Sequence, residues 1–193
     1  MEPPCADGEP VCGYGDPSGD FHVIGDHPGN HGGTTTGIPF GDGPVGCALR
    51  DVLSATELII DRTGSDPQIS NLFLSYIHMC PPADGATPSE RSYQRLERFF
   101  DAELRAVNAH ILIPVGRRAT NHVLEAYTTQ RWKVPPAMED RHAIDVRGRG
   151  FLIVPVMEPT EWTQQDRDRI VEALQTIRSS DYRQTKGVAT MVG

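Results

Sequence analysis

The chain has 193 residues, with 18 Lys+Arg against 26 Asp+Glu, for a formal net charge of −8. It is long enough to bury a real core as one domain. No apolar run approaches the ~18 residues needed to span a bilayer, and Met1-Glu2-Pro3-Pro4 has neither the basic nor the apolar region of a secretory signal.

Sixteen of the cationic residues are Arg and only Lys133 and Lys186 are Lys, while Asp outnumbers Glu by 15 to 11. An acid excess argues against a nucleic-acid surface at ordinary salt. It is also what adaptation to very high salt looks like. At 1 M salt the screening length falls to about 3 Å, and the counterion-release gain of a basic patch is small. A GC-rich genome would also convert Lys to Arg. A halophilic, cytoplasmic monomer is the expectation.

Residues 1–19 are rich in Gly, Pro and Asp and read as an irregular arm. Phe21-His22-Val23-Ile24 is a short buried-strand run that ends at Gly25. A Gly-, Thr- and Pro-rich loop follows to Gly46. Cys47 to Ile60 is expected as a helix with Leu49, Val52, Leu53 and Thr56 on one face. Arg62 to Gln68 is a turn, and Leu72 to Ile77 is a second strand stopped by Pro81-Pro82.

Thr87-Pro88-Ser89-Glu90 opens the clearest helix. Its apolar stripe is Tyr93, Leu96, Phe100, Leu104 and Val107, at the spacing a 3.6-residue period requires. Arg91, Arg95, Arg98, Asp101 and Arg105 lie opposite. His110 to Val115 is a third strand closed by Gly116, and Arg117 to Tyr127 is a helix. Arg131 to Arg149 is irregular, since Pro135-Pro136 breaks any helix. Phe151 to Val156 is a fourth strand and Thr163 to Ile177 a last amphipathic helix, with Ile170, Leu174 and Ile177 inward. Residues 181–193 are a polar tail, which Tyr182 could pin.

Strand and helix alternate four times, and each strand is a nearly continuous apolar run, as when helices cover both sheet faces. The expected fold of residues 20–180 is a three-layer α/β sandwich around a four-stranded parallel sheet. Ligands bind such sheets beyond the carboxyl ends of the strands. That directs attention to residues 25–40, 75–82, 116–121 and 157–162.

Those segments carry an ordered set of motifs. Gly25-Asp26-His27-Pro28-Gly29 is followed by Gly37-Ile38-Pro39-Phe40, and Gly13-Tyr14-Gly15-Asp16-Pro17 precedes them. Five residues separate Ser75 from Pro81-Pro82. Ile111 to Val115 runs into Gly116-Arg117-Arg118-Ala119, and Phe151 to Pro159 closes the series. In this order the motifs resemble the uracil-DNA glycosylase superfamily over about residues 11–178, in particular its iron–sulfur-containing, thermophile-type (family 4-like) branch.

The resemblance implies a site that hydrolyses the N-glycosidic bond of a deaminated base flipped out of DNA. Asp26 stands at the family's motif glutamate, and Asp26 or the adjacent His27 would orient water. Phe40 would stack on the base. Gly25, Pro28 and Gly29 would bring backbone close to it, and Ser75 would touch its polar edge. Pro159 and Thr160 would face the DNA strand, and Arg117 and Arg118 would contact phosphates. The DNA would be single-stranded or carry a flipped base.

Two positions depart from the family pattern. Ser75 replaces an Asn whose amide reads both edges of uracil, and a hydroxyl cannot do that. Glu158, in Met157-Glu158-Pro159-Thr160, replaces a His that donates to the departing base; losing such a donor typically costs roughly 10²–10³ in rate. His27, His31 or His78 could supply a donor from another loop. A weak or inactive DNA-binding paralogue is the alternative that these departures leave open.

The cysteines are Cys5, Cys12, Cys47 and Cys80. The branch's cluster needs a Cys-x-x-Cys pair and a ligand beyond the Pro-Pro element. Neither is present, so the four converging thiolates of a cluster are not matched. A zinc site on Cys5, Cys12 and a His has no recognised spacing. Free buried thiols in a reducing cytosol, with no metal or cofactor, are the expectation.

Overall fold

The computed structural model describes residues 3–180 except 7, 62–65, 84–85 and 130. The expected tail at 181–193, Tyr182 included, and most of the turn after Arg62 lie outside the described residues.

Among the described residues, six strands form one mixed sheet. In chain order they are β1 (Tyr14–Gly15), β2 (Phe21–Gly25), β5 (Leu72–Tyr76), β6 (Ile111–Pro114), β7 (Val146–Arg147) and β8 (Leu152–Ile153). The spatial order is β1-β5-β2-β6-β8-β7, with β3 (Ile59–Asp61) and β4 (Gln68–Ile69) forming a separate antiparallel pair. The inner four strands are parallel, as expected. The outer two are antiparallel additions, β1 on β5 and β7 on β8. They come from the two stretches expected to be irregular. Each is two residues long, too short for any periodicity to show in sequence.

The pleat sorts side chains into two layers. Phe21 and Val23 face one way, with Leu72, Leu74, Ile111 and Ile113, against Leu49, Val52 and Leu53 of α2 (Gly43–Ala55) and Ile170 and Leu174 of α6 (Gln164–Ser179). Ile24, Leu112 and Ile153 face the other way, against Phe100 and Leu104 of α3 (Glu90–Ala106) and Ala119 and Val123 of α4 (Gly116–Tyr127). This is the three-layer α/β sandwich, with both sheet faces covered.

Local chemistry sets the helix ends. α2 starts earlier than expected because Pro44 suits a first helical turn. It stops at Ala55 because Thr56 turns its hydroxyl back onto the carbonyls of Val52 and Leu53. Ser89 caps α3, and Thr163 with Asp166 forms a capping box on α6.

The arm is fastened to the domain. Val11 is buried and its N–H donates to the Met79 carbonyl at 2.8 Å. Cys5 and Cys80 form a disulfide with Cα atoms 5.2 Å apart. This corrects the expectation of free buried thiols. The arm folds back across the end of β5 and brings together two cysteines 75 positions apart, which spacing alone cannot show. Cys12 and Cys47 are exposed rather than buried. Two of the four thiols are consumed, so the donor set does not fit a four-thiolate cluster. Among the described residues, no helix is long and apolar enough to cross a membrane.

Candidate active site

Because the four inner strands run parallel, the loops after β2, β5, β6 and β8 emerge at one end of the sheet. There Asp26, Arg117, Arg118 and Glu158 line one cleft of about 650 Å³, together with Tyr93 and Asn30. The cleft lies on the α3 and α4 side. Four of the residues singled out in sequence therefore meet in space.

Asp26 is held by Tyr93, whose hydroxyl donates to Oδ1 at 2.6 Å. Burial, and then the Asp26 carboxylate, push the Tyr93 hydroxyl's pKa well above its ordinary range. The phenol therefore stays a donor. Arg118 lies over the Tyr93 ring, 4.0 Å from its centroid, and pairs with Glu90. That pairing raises the Arg118 pKa and lowers that of Glu90. Arg118 is thus committed within the protein, whereas Arg117 is exposed.

Glu158 reaches the same end from the loop after β8. Its Oε2 lies 3.2 Å from Nε2 of His31. The Asp26 N–H donates to Nδ1 of His31 at 3.0 Å. Nδ1 must therefore accept, so in a neutral ring the proton sits on Nε2 and points at Glu158. Oε1 of Glu158 is buried with no hydrogen-bond partner among the described residues. A Cβ at residue 116 would come 3.0 Å from Oε2, and Gly116 has φ +79°; only glycine suits that start of α4.

The seat beside Phe40 is built differently from the expectation. Phe40 is 1% exposed and does not line the cleft. The His31 ring stacks on it with centroids 5.6 Å apart and planes 22° apart, and Tyr76 packs at 5.1 Å. The Tyr76 hydroxyl accepts from the Phe40 N–H at 2.7 Å and donates to the Gly32 carbonyl at 2.8 Å. Gly25 lets these rings close: a Cβ there would lie 2.5 to 2.7 Å from Tyr76, Phe40 and His31. Pro28 and Gly29 lie in the short helix α1 (Pro28–His31), where Gly29 packs against Pro82.

Ser75 is fully buried and stands outside the cleft. Its hydroxyl bonds Nε2 of His22 at 2.7 Å, and it also hydrogen-bonds Glu103. Strand alternation puts its neighbour Tyr76 on the Phe40 side instead. His27 is 6% exposed, and burial lowers its pKa although Asp26 opposes this. It packs edge-on to His78 at 6.4 Å and does not line the cleft. Pro159 is buried and Thr160 exposed in a 3₁₀ turn, Pro159–Glu161.

Two contributors, Tyr93 and Tyr76, and one pairing are not announced by the sequence. Tyr93 was part of an apolar stripe, yet a phenol in the first turn of a buried face needs a partner for its hydroxyl. Tyr76 was hidden in a strand. The pairing of His31 with Glu158 spans 127 positions, and no local signal announces it.

The arrangement presents two carboxylates, one oriented by a phenol and one by an imidazole, at the mouth of a parallel sheet. A search of curated proteins finds no match to the chain. The sequence model of the uracil DNA glycosylase superfamily matches residues 12–178. With most of its length matched and an α/β fold of the expected layering, the chain belongs to the uracil DNA glycosylase superfamily.

Proposed function

We propose that this chain hydrolyses the N-glycosidic bond of a deaminated base extruded from DNA, with the cleft between α3 and α4 as the site. One observation carries the reading: Asp26 and Glu158, from the first and last loops of the fold, line the same cleft as Arg117. Tyr93 occupies Oδ1 of Asp26 and leaves Oδ2 to take a proton from water. That water attacks C1′ as the bond to the base nitrogen breaks, and the electron pair leaves with the base. Asp26 thus acts as the general base.

Glu158 favours a second substrate class. Its carboxylate accepts from His31 and offers no proton to a base leaving as an anion, as uracil does. A base that is cationic in DNA, such as an N-alkylated purine, takes the same electron pair and leaves neutral. A carboxylate at 158 attracts such a base.

The test incubates the protein at molar KCl with single-stranded DNA carrying uracil or an N-alkylated purine. Alkali then cleaves abasic sites. Strand breaks that vanish in Asp26→Asn are expected. Salt-resistant binding with no breaks on any substrate would establish a non-catalytic DNA-binding protein instead.

A further inference from the structure

The ring of His31 occupies a place with the shape and polarity of a seat for a base. It is fully buried and lies nearly flat on Phe40, with the two planes 22° apart. Tyr76 closes the space at a centroid distance of 6.3 Å. Glycines border the ring at two points. A Cβ at Gly25 would stand 2.7 Å from Nδ1 of His31, and one at Gly116 would stand 3.6 Å from Nε2.

Polar groups meet both ring nitrogens. The Asp26 N–H donates to Nδ1 at 3.0 Å, and Nε2 faces Oε2 of Glu158 at 3.2 Å. An aromatic floor, a backbone donor and a carboxylate acceptor suit any planar heterocycle with ring nitrogens. Asp26 and Glu158 also line the cleft, so the seat and the cleft share these two residues.

The imidazole fills this seat incompletely. In its neutral form it has one N–H to give, and that one is directed at Oε2. Oε1 of Glu158 is buried with no hydrogen-bond partner among the described residues. A buried carboxylate oxygen left unpaired is costly. A ligand with two adjacent N–H donors satisfies both oxygens at once, in the bidentate manner that carboxylates favour.

The backbone around His31 is fixed independently of the ring. His31 ends α1, a single turn of four residues. The chain leaves through Gly32 at φ +88°, where a Cβ would collide with the Asp42 carbonyl. The Asp42 carboxylate then accepts from the N–H groups of Gly33 and Thr35. The ring can therefore turn out about its own side-chain bonds while the loop stays in place.

We infer that His31 is an internal stand-in for the extruded base, displaced by a base that carries two adjacent N–H donors. The incoming base stacks on Phe40, accepts from the Asp26 N–H and occupies both oxygens of Glu158. A guanine edge, with N1–H beside an amino group, has this donor pair, whereas uracil has one N–H between two carbonyls. N-alkylation at N7 adds the positive charge that Glu158 attracts. The adjoining cleft of about 650 Å³ takes the rest of the nucleotide. Phe40 stays in the core until the ring leaves. This role for His31 rests on the reading of the cleft as the site of a DNA glycosylase.

His31→Ala removes the stand-in. By calorimetry it should bind the free base N7-methylguanine, which the parent chain should not bind. Uracil should bind it roughly tenfold more weakly, for want of one hydrogen bond to a charged group. Imidazole, which replaces the lost ring, should compete with N7-methylguanine. Melting curves confirm folding. In the parent chain, NMR of the imidazole nitrogens follows His31 directly, and decides the matter where His31→Ala does not fold. Single-stranded DNA carrying an N7-alkylated guanine should move the His31 signals to those of a ring in water, and undamaged DNA should leave them in place.

A folded His31→Ala protein that binds neither base, or binds uracil as tightly as N7-methylguanine, would overturn the stand-in. So would His31 signals that the damaged strand leaves unchanged. The two failures are separable. Cleavage of damaged DNA with His31 unmoved removes the stand-in and keeps the glycosylase reading. Displacement of His31 without cleavage of any substrate does the reverse.

Discussion

His31 directs its Nε2 proton at Glu158 across 3.2 Å, while its ring covers Phe40 at a centroid distance of 5.6 Å. One side chain thus links the last loop to the first and fills the seat over Phe40. Charge and shape at the candidate site both depend on it.

Replacing Glu158 with His should restore a donor at that loop. Uracil cleavage should rise by about 10²-fold, the typical worth of one such donor. Cleavage of a cationic base should fall, because the attracting carboxylate is gone. Single-turnover rates on the two substrates measure both changes. A fall on uracil would show that the site is tuned to Glu158.

Changing Ser75 to Asn should not improve recognition. The hydroxyl is buried against His22 on the α3 and α4 side of the sheet, outside the cleft. A larger side chain there overpacks the core, at a cost of about 1–3 kcal/mol. Urea unfolding measures the loss.

Phe40→Ala distinguishes a core residue from a base-stacking one. With 1% exposure and two aromatic neighbours, the ring should contribute about 3–5 kcal/mol to stability. A variant as stable as the parent but with weakened base binding would place Phe40 at the substrate instead.

Glu103 should make stability fall as pH rises. Burial pushes its carboxyl from 4.5 up to about 7, although the Gly13 N–H and Ser75 donate to it. The folded chain therefore holds a proton that the unfolded chain releases. This contribution is full below about 4.5 and is lost as pH rises through 7. Its size is roughly 3 kcal/mol at most. His22, held down to about 3 by burial, acts oppositely and destabilises the fold as pH falls below 6.5. Glu103→Gln keeps an acceptor for Gly13 and should stabilise the protein near pH 8, which denaturant titration across pH can check.

Alkylating the native protein without reductant should label Cys12 and Cys47 only, and prior reduction under unfolding conditions should expose all four cysteines. Cys5→Ser should lower stability by about 2–4 kcal/mol. Mass spectrometry counts the labels, and four labels in the native, unreduced protein would exclude the disulfide.

The four parallel strands, their helices and the end of the sheet at which Asp26, Arg117, Arg118 and Glu158 gather were legible in the sequence. Continuous apolar runs report burial on both sheet faces, and the 3.6 period reports which helix face is inward. Asp26, Arg117, Arg118 and Glu158 could be named because they follow strands directly. Side-chain partners were not legible. Strand alternation decided that Tyr76 rather than Ser75 faces Phe40, and chain reversal decided that Cys5 meets Cys80. Folding also joined Arg141, in a stretch with no periodic pattern, to Asn121 on α4, while Glu90 claimed Arg118. A sequence records local periodicity because secondary structure obeys it. It carries no comparable signal for contacts between residues far apart in the chain, and those contacts set the charge and shape of the site.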